Sequence, residues 1–308
     1  MSATLIAVVF ALILGHTAAP LVQLRRFGWF TGWLKWLREH IDGGWYASAF
    51  AMLVSLGLPL ALCALIQHGL SDVFFGLPGF VFGLAVLFYC WGPRDLDVDV
   101  EAVLEASDNE SHQTALRTLA GEATPLPDDA SGTVALVFRA AKRRWFGVLF
   151  WFLLLGPFGA LLYRLAQRGT EAAAREHLPT AQSSAFTRLL AILEWPVAQV
   201  MTLALALAGN FDAVYGAWRD WHNARREHER DDFNTGFLDA AAQASVRREH
   251  AQIQAEIDAE ATESGIDAPA DEAASPSRAA LAEAMGLAWR ILIVWLAALA
   301  LFVLAGYV

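Results

Sequence analysis

The sequence has 308 residues, of which 56% are hydrophobic and 18% charged, and its formal net charge is -10. Soluble globular chains average roughly 45–50% hydrophobic and about 25% charged residues, so this composition excludes an ordinary soluble enzyme and predicts an integral membrane protein. The negative charge also argues against a nucleic-acid partner, because phosphate binding needs clustered Lys and Arg.

Apolar runs of about 18–20 residues are long enough to cross a bilayer, and they predict four transmembrane helices at residues 3–22, 45–66, 73–91 and 287–308. Two further runs, 145–162 and 193–208, are doubtful because the first contains Gly156-Pro157 and the second is short. The predicted fold class is therefore an all-α polytopic membrane protein, with four transmembrane helices, two re-entrant or broken helices, and helical cytoplasmic segments.

Five segments follow from these runs. Residues 1–91 form an N-terminal membrane region with three spans and a basic interfacial helix rich in Trp, and residues 145–209 hold the broken or re-entrant helices. Residues 92–144 and 210–286 are predicted to be helical cytoplasmic segments, the second with a flexible linker at 260–276, and residues 287–308 form the last span. Basic residues follow the first span rather than precede it, which favours a retained helix over a signal peptide.

Acidic residues directly follow the third span, where Arg94 precedes the alternating carboxylates Asp95, Asp97 and Asp99. Oxygen ligands of this kind suit Mg²⁺ together with a substrate phosphate. The alternative to a Mg²⁺ site is that these residues begin a helix, and we favour it, because acidic residues in the first turn complement the helix dipole. We expect no metal site and no catalytic residue.

Cations flank the broken run, with Arg139, Lys142, Arg143 and Arg144 before it and Arg164 at its far end. They suit a phosphate or carboxylate ligand, although arginines that anchor a helix end at the interface give the same pattern. Glu194 opens the second doubtful run next to Pro196, so it is either a functional carboxylate partnered by an arginine or a helix cap.

Three stretches carry a family resemblance: GPRDLDVDVEAVL at 92–104, FWFLLLGPFGALLYRL at 150–165 and LEWPVAQVMTLALALAGNFDAVYGAW at 193–218. They resemble the AmpE family, bacterial inner-membrane signalling modulators associated with the AmpD muropeptide amidase and with β-lactamase regulation. AmpE is similar in turn to the cobalamin-biosynthesis proteins CobD and CbiB, which form an amide in an ATP-dependent step. Their E-N-x-x-D-G and N-T-L-D-S-M-V-G motifs are replaced here by AAKRRWFG at 140–147 and AQRGTEAA at 166–173.

The resemblance implies an inner-membrane regulatory protein linked to AmpD, cell-wall recycling and β-lactamase induction, with the bilayer as its immediate partner. The residues add only a preference for an anionic ligand, such as a cell-wall precursor or a nucleotide. An ATP-dependent amide ligase of the CobD/CbiB type is the alternative. No cofactor is expected, and ATP and Mg²⁺ stay open alternatives without a specific motif to support them.

Overall fold

The structure is a computed structural model, and it describes residues 25, 27–41, 46, 48–70, 76–92, 95–121, 126, 129–224, 233–264 and 276–305. Within these residues the chain is all-helical, as predicted, and contains no strand. In chain order the helices are α1 Gly28–His40, α2 Ala51–Leu70, α3 Leu77–Cys90, α4 Leu96–Glu105, α5 Asn109–Ala120, α6 Ala130–Ala141, a π-helical turn Lys142–Phe146, α7 Gly147–Leu155, α8 Pro157–Arg168, α9 Ala172–Arg175, α10 Thr180–Ala208, α11 Phe211–Ala224, α12 Gly236–Ser264 and α13 Pro276–Leu304.

The chain divides into two units, one of residues 1–95, 142–197 and 296–308 and the other of residues 96–141 and 198–295. The first unit contains the Trp-rich helix α1, the apolar helices α2 and α3, and the helices α7 and α8. The second contains α4 to α6, α11 and α12. Each unit therefore combines segments that are far apart in the sequence.

Three helices among the described residues are long and apolar enough to cross a membrane: Ala51–Leu70, Thr180–Ala208 and Arg278–Leu301. The first and third correspond to predicted spans, whereas the span predicted at 73–91 is a shorter apolar helix, Leu77–Cys90. The span predicted at 3–22 lies outside the described residues. A total of four spans therefore stays a prediction.

The first doubtful run is broken where the sequence predicts. Gly156 has a φ of 67°, a left-handed value that favours glycine, and Pro157 starts α8. The Gln67 side chain in α2 accepts a hydrogen bond from the Phe158 amide at 3.1 Å, so a donor exposed by the break is satisfied within the protein.

The second doubtful run is not a short helix. Residues 193–208 form the C-terminal part of α10, a continuous helix of 29 residues with Pro196 inside it. Residues 180–192 are more polar than the apolar run, so the length of the run underestimates the length of the helix. In consequence the segment is long enough for a crossing.

Both segments that were predicted to be helical and cytoplasmic, 92–144 and 210–286, contain helices in the second unit. Asp108 caps α5 by accepting a hydrogen bond from the Ser111 amide at 2.8 Å, and Gln243 of α12 donates to the Ser131 carbonyl of α6 at 3.0 Å. Helix α12 ends at Ser264, so residues 260–264 of the predicted linker are helical. Residues 265–275 lie outside the described residues.

Candidate functional site

The π-helical turn Lys142–Phe146 places three of the predicted cations, Lys142, Arg143 and Arg144, in the first unit. Turns of this type are rare and are often found at functional sites. The turn leads into Gly147, where an added Cβ would lie 2.2 Å from the Tyr163 ring. The Tyr163 hydroxyl lies 3.5 Å from the Lys142 carbonyl oxygen. Close packing of Tyr163 on a glycine therefore fixes the end of the turn.

Glu194 of α10 bridges two of these cations, Lys142 and Arg143. Its Oε2 lies 2.8 Å from Lys142 Nζ, and its Oε1 accepts a hydrogen bond from Arg143 Nε at 3.1 Å. The Lys142 and Glu194 side chains are only 3% and 8% exposed, whereas Arg143 is 38% exposed. The site is thus a buried ion pair with an arginine at its accessible edge.

The bridging carboxylate decides between two sequence alternatives. Glu194 lies inside α10, which begins at Thr180, so it cannot cap that helix and the capping alternative is wrong. The arginine partner predicted for it is Arg143. Pro196 likewise lies in the helix interior rather than at its start.

Arg164 has a separate place in the same unit, where it is almost completely buried. Its Nε donates to the Cys90 carbonyl at 2.7 Å, its Nη2 donates to the same oxygen, and its Nη1 donates to Gln167 Oε1 at 2.6 Å. A guanidinium at the C-terminal end of α3 satisfies a terminal carbonyl and complements the helix dipole. Because these donors bind protein oxygens, we do not include Arg164 in a ligand site.

Residues 45–262 match the protein-family model described as regulatory signalling modulator protein AmpE. The chain belongs to the AmpE family. The match contains the π-helical turn, the broken helices and Glu194, and no curated protein or solved structure gave a significant match. With its long apolar helices, the chain is a membrane protein of a regulatory signalling family. The similarity to CobD and CbiB stays a prediction from the sequence.

The remaining predicted site residues of this AmpE-family chain are Arg139, Arg144, Arg94 and Asp95. Arg139 belongs to the second unit, where its Nη2 lies 2.6 Å from Asp239 Oδ2. Arg144 lies in the π-helical turn and is half-buried, and Arg94 is outside the described residues. Asp95 directly precedes α4. Of the predicted site residues, the structure therefore joins Arg143 and Glu194.

The acidic stretch adopts its helix-start alternative. Asp97 and Asp99 lie in the first turn of α4, and Asp97 Oδ1 accepts a hydrogen bond from Trp289 Nε1 at 2.8 Å. Within the part of the chain that the structure describes, no group of three or more His, Cys, Asp or Glu is placed to hold a metal ion.

Lys142 is one of the predicted cations, but its position in the sequence does not distinguish it from the arginines around it. It stands directly before Arg143, yet it is buried while Arg143 is partly exposed. Helical periodicity assumes α-helical geometry, so it does not reveal how a π-helical turn orients neighbouring side chains. The sequence signal for a buried lysine was the apolar run 193–208, which contains the single carboxylate Glu194. A buried lysine needs a counter-charge of this kind.

Proposed function

We propose that this AmpE-family protein is a multi-pass regulatory protein of the bacterial inner membrane that modulates β-lactamase induction by binding an anionic ligand. We place the ligand at the cationic turn, defined as Lys142, Arg143 and Arg144. The observation that carries the proposal is the bridge from one carboxylate, Glu194, to both Lys142 and Arg143.

The bridge contains two cations and one anion, and a third cation follows directly in the sequence. Such a run of successive cations favours the approach of a ligand phosphate or carboxylate. We expect the ligand to bind Arg143, because its side chain is more exposed than that of Lys142. A guanidinium binds such oxygens through two parallel hydrogen bonds.

Binding would exchange the partners within the bridge. When the ligand takes Arg143, Glu194 keeps Lys142, and the buried pair stays neutral. The π-helical turn and α10 then lose one of their two ionic connections. We infer that this change in how the turn is held against α10 is the signal.

The family context favours a ligand from cell-wall recycling. Muropeptides carry carboxylates, and nucleotide-linked wall precursors carry phosphates as well, so both suit the cationic turn. The proposed functional link to AmpD rests on the family resemblance, and it fits this ligand class because an amidase that cleaves muropeptides would change the concentration of such compounds.

The test uses a deletion strain that carries an inducible β-lactamase. Complementation with the wild-type gene should restore the β-lactam induction curve, and Arg143→Gln should shift it, whereas Arg143→Lys should have an intermediate effect. Arg188→Gln, which removes an exposed arginine of α10, is the matched control. Induction that is the same with and without the gene would refute the regulatory proposal.

Binding is measured separately on the purified protein in detergent, by calorimetric titration with a muropeptide and with a nucleotide-linked wall precursor. We expect Arg143→Gln to weaken binding about tenfold or more, as for the loss of a charge-assisted hydrogen bond. Equal affinities of wild type and Arg143→Gln would show that the ligand does not bind at the cationic turn. ATP hydrolysis in the same preparation would instead support the ligase alternative.

A further inference from the structure

A row of aromatic side chains runs along one side of α11. Phe211, Tyr215 and Trp218 follow one another at helical spacing, which places them on one face of the helix. The Phe211 and Tyr215 rings lie 5.9 Å apart, and the Tyr215 and Trp218 rings lie 6.1 Å apart. Phe211 is 55% exposed and Tyr215 is 50% exposed. This aromatic row, defined as the three residues, is therefore an accessible apolar surface.

The other sides of α11 differ from the aromatic row. Asp212 and Asp220 are exposed, and a rotation of about 100° per residue places them on a different side of the helix. A further side packs on α12, where Val214 is buried and the Trp221 ring lies 5.5 Å from the Phe237 ring. Helix α12 thus covers one side of α11 and leaves an apolar and a polar side exposed.

The aromatic row faces a cavity of about 350 Å³ within the second unit. The walls of this cavity come from the last turns of α10 and the first turns of α11, through the side chains of Gln199, Thr202, Leu203, Ala206, Phe211, Val214, Tyr215 and Trp218. Leu203 is 60% exposed. Leu203, Phe211 and Tyr215 therefore belong to one exposed apolar surface that extends from α10 onto α11.

The corner between the two helices is tightly built. A Cβ at Gly209 would lie 2.7 Å from Oγ of Ser245, which is buried in α12, so a side chain at this position requires Ser245 to shift. Asn210 Oδ1 accepts a hydrogen bond from the Ala213 amide at 2.9 Å and caps α11. Helix α11 thus begins directly at the end of α10, with its aromatic row on the side of α10.

The surface that continues onto α11 belongs to a helix long and apolar enough to cross a membrane, α10. Exposed leucines on such a span contact lipid chains, so the same surrounding is expected for the rings that extend their surface. A helix with one apolar and one polar exposed side suits the boundary between hydrocarbon and water. Tyr and Trp are enriched at this level of the bilayer.

We propose that α11 lies in the membrane–water interface, where the aromatic row contacts lipid acyl chains that fill the cavity between α10 and α11. Asp212 and Asp220 then face water. The segment 210–286 accordingly begins at the bilayer surface rather than in free solution. This lipid contact does not depend on the ligand proposed for the cationic turn.

The test measures spin-label accessibility in the full chain, reconstituted into vesicles of equal parts phosphatidylcholine and phosphatidylglycerol. The native cysteines are buried and are replaced in a Cys63→Ala/Cys90→Ala background, so that each variant carries one label. Oxygen, which partitions into hydrocarbon, and a neutral nickel chelate, which stays in water, are the two collision reagents. Thermal unfolding of each labelled variant is compared with the background first.

Labels on the two sides of α11 should give opposite results. Phe211→Cys and Tyr215→Cys should show a several-fold lower collision rate with the nickel chelate than Asp212→Cys and Asp220→Cys, and a higher rate with oxygen. All four positions are exposed, so the labels do not need to enter the packed interior. Leu203→Cys in α10 is the reference for a lipid-exposed position.

Two results would overturn the proposal. Nickel collisions as frequent at Phe211 and Tyr215 as at Asp212 would show that the cavity holds water. Protection of Phe211 and Tyr215 from both reagents would show that a protein surface, such as a second copy of the chain, covers the aromatic row.

A second measurement needs no cysteine and uses vesicles whose acyl chains carry bromine, which quenches nearby tryptophans. Trp218 lines the cavity, whereas Trp221 packs on α12 and does not. The quenched fraction of the total fluorescence should therefore fall in Trp218→Phe and not in Trp221→Phe. An equal or larger fall in Trp221→Phe would contradict the lipid contact.

Discussion

Replacing Glu194 by Gln tests the central feature of the structure, a carboxylate that holds Lys142 and Arg143 at once. The substitution keeps the shape of the side chain and removes its charge. Lys142 is only 3% exposed, and the replacement removes the negative charge that lies 2.8 Å from its buried ammonium. Breaking a buried pair in this way costs about 3–5 kcal/mol.

The contribution of Arg143 is smaller. Its side chain is 38% exposed, and solvent screens the interaction, so its ion pair with Glu194 is worth about 1 kcal/mol or less. The expected loss on Glu194→Gln is therefore dominated by Lys142. Arg143→Gln alone should destabilise the protein much less than Glu194→Gln.

A double-mutant cycle with Lys142→Met isolates this effect. Met matches the length of the lysine stem without its charge, so Lys142→Met/Glu194→Gln should recover most of the stability lost in Glu194→Gln, because replacing a whole buried pair is often close to neutral. Unfolding by SDS in mixed micelles gives the free energies, and Glu101→Gln, at an exposed site of α4, is the control. A double variant as unstable as the sum of its single changes would refute this account of the bridge.

Three further predictions concern positions outside the bridge. Gly147→Ala should destabilise the protein by about 1–3 kcal/mol in the same assay, because its Cβ meets the Tyr163 ring, whereas Gly57→Ala, which meets nothing within 4 Å, should not destabilise it. Arg164→Lys should lower stability by about 1.5–3 kcal/mol, since an ammonium cannot reproduce the guanidinium contacts at the end of α3. Hydrogen bonds to the Asp108 carboxylate lower its pKa, so its capping of α5 is present above the ordinary pKa and is lost as the pH falls through the lowered one. Amide protection factors in α5 should therefore fall with acid in the wild type and change less in Asp108→Asn, and identical profiles would contradict this.

The sequence identified those features that depend on local chemistry. The break at Gly156-Pro157 was predictable, because glycine permits the left-handed conformation and proline removes a donor wherever they occur. The helix start at Asp97 and Asp99 follows from the same kind of rule. The length of α10 was not predictable from hydropathy, since its first 13 residues are too polar for the apolar window that its second half satisfies.

The roles of the cations could not be predicted from neighbouring residues, because each role depends on a partner that is distant in the sequence. Arg139 pairs with Asp239, Arg143 with Glu194, and Arg164 with the Cys90 carbonyl. The spacing of basic residues shows how much positive charge is available, but burial and counter-charges decide which cation is structural.

The boundary between the two units explains why cations that are close together in the sequence form ion pairs in different units. The first segment of the second unit ends at Ala141, and the first unit resumes at Lys142, where the helix changes from α to π geometry. Arg139 therefore stabilises one unit and Lys142 the other, although they are three residues apart. Charge reversal at Asp239 should then be compensated by reversal at Arg139 and not at Arg143, because an ion pair couples only the residues that form it.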